Sequence, residues 1–210
     1  FGEDNENIKR LLCSIALNPN ASFVLFVGLG CENNGLDGIK EYLKPFGRDN
    51  IEYFNCQDVE DEISYGLEIL KKFCGKASVL KREDISVSEL CIGLKCGGSD
   101  GYSGITANPL VGRTMESFAA LGSTILMTEI PECFGAEDVL LSHCADKKAF
   151  DEVSSMISDF RKYYIDHGEG ISDNPSPGNI AGGISTLEEK SLGCVQKGGH
   201  VRVLGGLPCG

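Results

Sequence analysis

Residues 93–112 read GLKCGGSDGYSGITANPLVG, a stretch dominated by glycines and small polar residues. Glycine admits positive φ and lets backbone N–H groups come close to a ligand, so Gly97-Gly98-Ser99-Asp100 could fold into an anion-holding nest. Ser99, Asp100, Ser103 and Asn108 supply the polar groups that a polyhydroxylated ligand needs, although helix capping explains Asn108 equally well. The spacing is neither GxGxxG nor GxxxxGK[ST], so neither a dinucleotide nor a nucleoside triphosphate is indicated. There is no basic cluster in this stretch. A carboxylate ligand would have to be held by backbone N–H groups, by one of the few lysines or by a divalent metal.

A second stretch, VGLGCENNGLDG at 27–38, shares Gly-Leu-x-Cys with IGLKCGGSDGYSG at 92–104. This is either an internal repeat of a strand-loop unit or a coincidence of two ordinary strand ends. If the two strands are neighbours, Cys31 and Cys96 face one another across a pocket. There they could bind a borderline metal as thiolates, or simply pack as buried thiols. Glu129 and Glu132 follow another strand end, where carboxylates can hold a metal or act as a base; the plainer reading is capping or solvated charge. Asn174, Ser176 and Asn179 lie in the polar loop SDNPSPGNIAGG, long enough to be a binding element. Lys190 is a candidate base or a surface lysine, and His200 a candidate acid or ligand. His143 and His167 sit at helix ends, where the helix dipole accounts for them.

The elements that must position these residues can be read from periodicity. Short β-branched and aromatic runs predict strands near 23–28, 51–54, 89–94 and 124–128. Between them lie helical patterns: Ile8, Leu11, Leu12 and Ile15 in the first; Val59, Ile63, Leu67, Leu70 and Cys74, capped by Asp58, in the second; and Asn108-Pro109 opening a third. A long helix over 147–166 carries Phe150, Val153, Ile157, Phe160 and Tyr164 on one face after the cap Asp146. A further helix opens with a capping box of Ser185 and Glu188. Alternating strands and helices predict an α/β fold, a mostly parallel sheet with helices on both faces in Rossmann-like or flavodoxin-like layering. The loops at 28–38, 96–108 and 129–135 should then share its carboxyl edge, where such sheets bind ligands. The expected division is an α/β domain over 1–170 and a loop-plus-helix segment over 171–210.

The chain carries 19 Lys+Arg against 31 Asp+Glu, a net charge of −12, which argues against nucleic acid as a partner. No apolar run reaches the roughly 18–20 residues of a membrane span, so no membrane association is expected. FGEDNENIKR is unlike a signal peptide. The chain does not begin with Met, which suggests a piece of a longer protein. Ten cysteines without a CxxC pair fit neither a zinc ribbon nor a small disulfide scaffold. Cys74, Cys91 and Cys194 are expected as small buried hydrophobes in a reducing cytoplasm. A homo-oligomer is left open.

GLGCENN, GLKCGGSDGYSGITANPLVG, TEIPECFGAE and NPSPGNIAGGISTLEEKSLG together resemble the altronate dehydratase (altronate hydrolase) and galactarate dehydratase family, which also includes the large subunits of sulfolactate sulfo-lyases. The resemblance runs in family order over about 4–200. It implies a hydro-lyase that converts a sugar acid to a 2-keto-3-deoxy acid by α-proton abstraction. It also implies dependence on a divalent metal, usually Fe2+ with Mn2+ as the variant, which would stabilise the enolate. Glu129, Lys190 and His200 are then the candidate catalytic residues, and Cys31, Cys96 and Glu132 the candidate metal ligands. Gly97, Gly98, Ser99, Asp100, Ser103, Asn108, Asn174, Ser176 and Asn179 are the candidate substrate contacts. Family proteins have a small N-terminal domain and a further C-terminal part flanking this region, so the fragment alone is expected to be inactive. The competing readings are a sulfo-lyase acting on sulfolactate and a non-catalytic sugar-acid-binding subunit.

Overall fold

The computed structural model describes residues 2–171 and 173–207, which divide into two compact units, 1–83 and 84–210. In the first unit the order is α1 (Glu3–Ala16), β1 (Val24–Gly28), α2 (Leu36–Leu43), β2 (Ile51–Asn55) and α3 (Glu62–Ala77). β1 and β2 pair in parallel, from Val24 opposite Ile51 to Gly28 opposite Asn55. One core joins Cys13 and Ala16 of α1 to Leu36, Ile39 and Leu43 of α2 and to Ile51. A second joins Phe54 to Ile69 and Phe73 of α3, with Phe23 stacked on Phe73.

The second unit runs β3 (Cys91–Leu94), α4 (Ala107–Ala120), β4 (Thr124–Met127), α5 (Glu137–Ser142), α6 (Lys147–Asp166), α7 (Pro177–Ala181) and α8 (Leu187–Val195). β3 and β4 also pair in parallel, with Cys91 opposite Thr124 and Leu94 opposite Met127. Short 3-10 turns follow β4 at Ile130–Cys133 and α8 at Gln196–Gly198. The core gathers Cys133, Phe134, Ala136 and Leu140 against Val153 and Ile157 of α6 and Val195 of α8. Fully buried Ser191 donates its hydroxyl to the Phe134 carbonyl, so α8 is pinned to the segment that leaves β4.

The four strands and the long helix stand where periodicity puts them, but the layering does not. The strands form two separate two-stranded parallel sheets, β1-β2 and β3-β4, rather than one sheet covered on both faces. The expected 1–170 domain is accordingly divided at 83/84, and the tail to 207 belongs to the second unit.

The helical stripes of the first unit also face the other way. On α1, Ile8, Leu11, Leu12 and Ile15 are exposed while Cys13 and Ala16 are buried. On α3, Ile63, Leu67, Leu70 and Cys74 are exposed while Ile69 and Phe73 are buried. Small residues at i and i+3 let the α1 backbone approach its neighbours closely, and the larger apolar residues are left outside. On α6 the expected face holds at Val153 and Ile157, but Ala149 is buried and Phe150 exposed.

Three caps move as well. Asp61, not Asp58, accepts the Ile63 and Ser64 N–H groups. Thr186, paired with Glu189, caps α8 instead of Ser185 with Glu188. The cap position of α4 is Thr106, and Asn108 lies inside its first turn. Cys194 is buried as expected, whereas Cys74 and Cys91 are exposed.

Candidate active site

The loops after β3 and β4 lie side by side because their strands are parallel neighbours. Thr128 donates both its N–H and its hydroxyl to the Leu94 carbonyl, which ties the two strand ends together. Beyond it Glu129 adopts a left-handed conformation (φ 65°, ψ 61°), uncommon for a residue with a side chain. That turn points its carboxylate back to the neighbouring loop, where one oxygen accepts the Cys96 N–H and the other lies 3.4 Å from the Lys95 ammonium.

The Gly-rich loop is fixed by its own polar residues. Asp100 accepts the Tyr102 and Ser103 N–H groups, and the Ser103 hydroxyl accepts the Asp100 N–H. Ser99 Oγ lies 2.8 Å from Cys96 Sγ. Among 96–108 no residue has positive φ, so the left-handed nest expected at Gly97-Gly98 is not formed. Both glycines nevertheless face open space, since a Cβ at either would meet nothing within 4 Å.

Two further segments close on this loop. The Gly101 N–H donates to the Gly182 carbonyl, and the Asn179 amide donates to the Ser99 carbonyl at 3.0 Å. From α4, the buried Asn108 donates to the Gly193 carbonyl of α8 at 2.8 Å, a structural bond in place of the expected cap. Ser176 caps α7 reciprocally with Asn179, so its hydroxyl is committed to the turn.

At the centre is Lys190. It is 8 % exposed, and its ammonium reaches Asn174 Oδ1 and Asn179 Oδ1, both at 2.8 Å, and Glu132 Oε1 at 3.2 Å. An ammonium has three protons, and here there are three acceptors. Glu132 Oε2 is buried without a hydrogen-bond partner. The arrangement thus offers one free carboxylate oxygen, oriented by a lysine whose own protons are engaged.

These geometries can be set beside known proteins. The family profile described as "D-galactarate/Altronate dehydratase, C-terminal" matches residues 87–208. The profile described as "D-galactarate dehydratase/Altronate hydrolase, second domain" matches residues 1–78. The chain belongs to the D-galactarate/altronate dehydratase family. It is 50% identical over 199 residues to an altronate dehydratase of Bacillus subtilis and 47% identical over 199 residues to that of Escherichia coli, in each case 95% of this chain and 40% of the relative. It is 34% identical over 208 residues to the beta subunit of a (2R)-sulfolactate sulfo-lyase of Chromohalobacter salexigens, 94% of this chain and 51% of that protein. The chain therefore spans less than half the length of the altronate dehydratases it matches. The boundary between the two family profiles falls where the two units divide.

Within this family member the candidate residues separate. Glu129, Glu132, Lys190, Cys96, Ser99, Asn108, Asn174 and Asn179 all belong to the second unit and are joined by the contacts above. Cys31 belongs to the first unit, in the loop after β1 of the other sheet, so the two Gly-Leu-x-Cys strands are not sheet neighbours. Its loop does form a nest. The Leu29, Gly30 and Cys31 N–H groups converge on the carboxylate of Glu32, whose pKa is lowered first by its own backbone N–H and then by these groups. His200 is exposed and paired with Glu116 of α4 at 2.9 Å.

For a divalent metal, the buried free oxygen of Glu132 is a suitable donor, but it stands alone. Among the described residues no three His, Cys, Asp or Glu side chains converge as ligands. Both oxygens of Glu129 are engaged, and an ammonium holds the other oxygen of Glu132. Burial pushes the Cys133 thiol up to about 12 and raises that of Cys194, so both are uncharged at neutral pH and poor ligands. These residues do not fit a metal site built from this chain's own side chains.

Sequence reasoning passed over Lys197, which is 6 % exposed. Its spacing of seven from Lys190, two helical turns, was the available signal, with Ser191, Cys194 and Val195 marking the buried face.

Proposed function

We propose that this chain forms part of a lyase that removes water from a sugar acid of the altronate or galactarate type. The observation that carries the reading is the buried Glu132–Lys190–Asn179 group locked to the Gly-rich loop through Ser99, in a chain half identical to an altronate dehydratase. The free oxygen of Glu132 takes the proton α to the substrate carboxylate. The Cα–H electron pair passes into the carboxylate as an enolate; as the enolate collapses the C–O bond on the adjacent carbon breaks and the hydroxyl departs as water with the proton that Glu132 took, and the resulting enol tautomerises to a 2-keto-3-deoxy acid. A carboxylate aligned by its neighbours is a suitable general base for such a weak carbon acid. Lys190 acts through Glu132 and the two asparagines, holding them in register rather than accepting the proton itself. Glu129 shapes the loop by fixing Cys96. Open space at Gly97 and Gly98 leaves room for the polyol chain against the backbone.

The test is to incubate the full-length protein with altronate, galactarate and (2R)-sulfolactate. A keto-deoxy acid from either sugar acid supports the dehydratase. Sulfite release from sulfolactate alone would move the assignment to the reaction named for the 34%-identical relative. Binding without turnover of any of the three would make the chain a sugar-acid-binding subunit and overturn the proposal.

A further inference from the structure

Lys197 lies in the 3-10 turn after α8 and is as deeply buried as Lys190, yet it has no comparable partners. Its ammonium lies 3.4 Å from the Cys194 sulfur and also faces the Cys96 sulfur. Among the described residues no carboxylate forms an ion pair with it, whereas Lys190 is neutralised by Glu132. Lys197 keeps a raised pKa. Burial works against the ammonium, and the sulfurs of Cys194 and Cys96 act in the opposite direction. Among the described residues the second unit thus buries a lysine with no carboxylate beside it, in a chain whose net charge is −12. Uncompensated buried charge is costly and is seldom retained without a use.

The position of Lys197 is held from two sides. A Cβ on Gly112 of α4 would lie 2.3 Å from the Gln196 carbonyl oxygen, so the helix backbone rests directly on the turn. A Cβ on Gly198 would lie 3.0 Å from the sulfur of Met127, the last residue of β4. Lys197 therefore belongs to the carboxyl ends of the β3-β4 pair, beside the loops that carry Cys96 and Glu132. Ligands of parallel strands gather at that edge.

We propose that Lys197 is a substrate-binding residue, the cation that receives the carboxylate of the sugar acid. The proposal rests on the functional reading above and adds the group that anchors the acid end of the substrate. An ammonium bonded to that carboxylate also stabilises the extra negative charge that develops there when the α proton leaves. In this arrangement Glu132 and Lys197 divide the work, one taking the proton and the other holding the charge.

The experiment compares the full-length wild type with Lys197→Met in ligand-induced thermal stabilisation, using altronate and the uncharged alditol altritol. In the wild type altronate should stabilise and altritol should not. In Lys197→Met the preference should disappear, with the altronate dissociation constant raised by about tenfold to a hundredfold, the range expected for a charge-assisted hydrogen bond. Without ligand, Lys197→Met should melt at or above the wild-type temperature, because an unpaired buried charge has been removed. A variant that folds and still prefers altronate with wild-type affinity overturns the proposal. If the variant does not fold, Lys197→Gln, which keeps most of the side chain's length and loses its charge, decides. A folded Lys197→Gln should lose the preference for altronate over altritol, and one that keeps it sinks the idea. A wild type that turns over altronate beside an unaffected Lys197→Met refutes only the anchor. A wild type that neither binds nor converts any sugar acid refutes the functional reading, and the anchor with it.

Discussion

Gly98 can accept a methyl group without touching another atom, and its φ is not in the left-handed region. Gly98→Ala should therefore leave the melting temperature unchanged, and any rise in the Michaelis constant of the full-length protein for altronate would report a clash with substrate. Unchanged kinetics would mean that the glycine serves only the strand-to-helix connection. Cys133 gives a different kind of test. Its thiol, pushed up to about 12 chiefly by burial and secondarily by the neighbouring Cys194, Glu132 and Glu137, starts from an ordinary 9.0. Because the folded value is raised, the stabilisation is complete below pH 9 and is lost as pH rises towards 12, at about 1.4 kcal/mol per pH unit. Cys133→Ala should flatten that alkaline slope in denaturant titrations while lowering stability at neutral pH through the lost packing. At this scale the sequence exposed the polar candidates, because Glu132, Asn179 and Lys190 stand among glycines and helix ends. It concealed their partners. Nothing in the local spacing says that Asn179 reaches Ser99, 80 residues away, or that Lys190 is buried.

Elements were more legible than their faces. Strand composition located all four strands, and capping chemistry brought every helix start discussed to within a few residues, since an Asp, Ser or Thr must answer the first free N–H groups. Period 3.6 also marks α1 and α3 as helices. It does not say which side is covered, and there the largest apolar residues misled. Cys13, buried completely, and Ala16 form the core side of α1 because short side chains allow close backbone approach. Layering failed for a related reason. Alternating strands and helices permit one sheet of four parallel strands or two sheets of two, and the choice lies in which strand edges pair. The β1-β2 and β3-β4 registers settle it for two. Chance also entered the Gly-Leu-x-Cys comparison: both strands end in a loop before a helix and a parallel partner, but the nest expected at Gly97-Gly98-Ser99-Asp100 is found instead in the Cys31 loop, filled by Glu32.

At the scale of the whole molecule, two units each carry their own strand pair and their own core, and the segment between them has no regular structure from 80 to 86. Val79, Leu80 and Ile85 are 76%, 56% and 60% exposed, so apolar side chains in this connection contribute little burial. Lys81 and Arg82 stand in the same exposed stretch. Proteases need an extended, accessible backbone of several residues, which helices and paired strands deny. Brief trypsin treatment of the native chain should therefore cut first after Lys81 or Arg82, releasing two fragments whose junction mass spectrometry can assign. Lys40 and Lys71, although exposed, lie inside α2 and α3 and should be cut later. First cleavage within either unit, with the 81–82 bonds intact, would show that the connection is protected and that the two family segments do not behave as separate folding units.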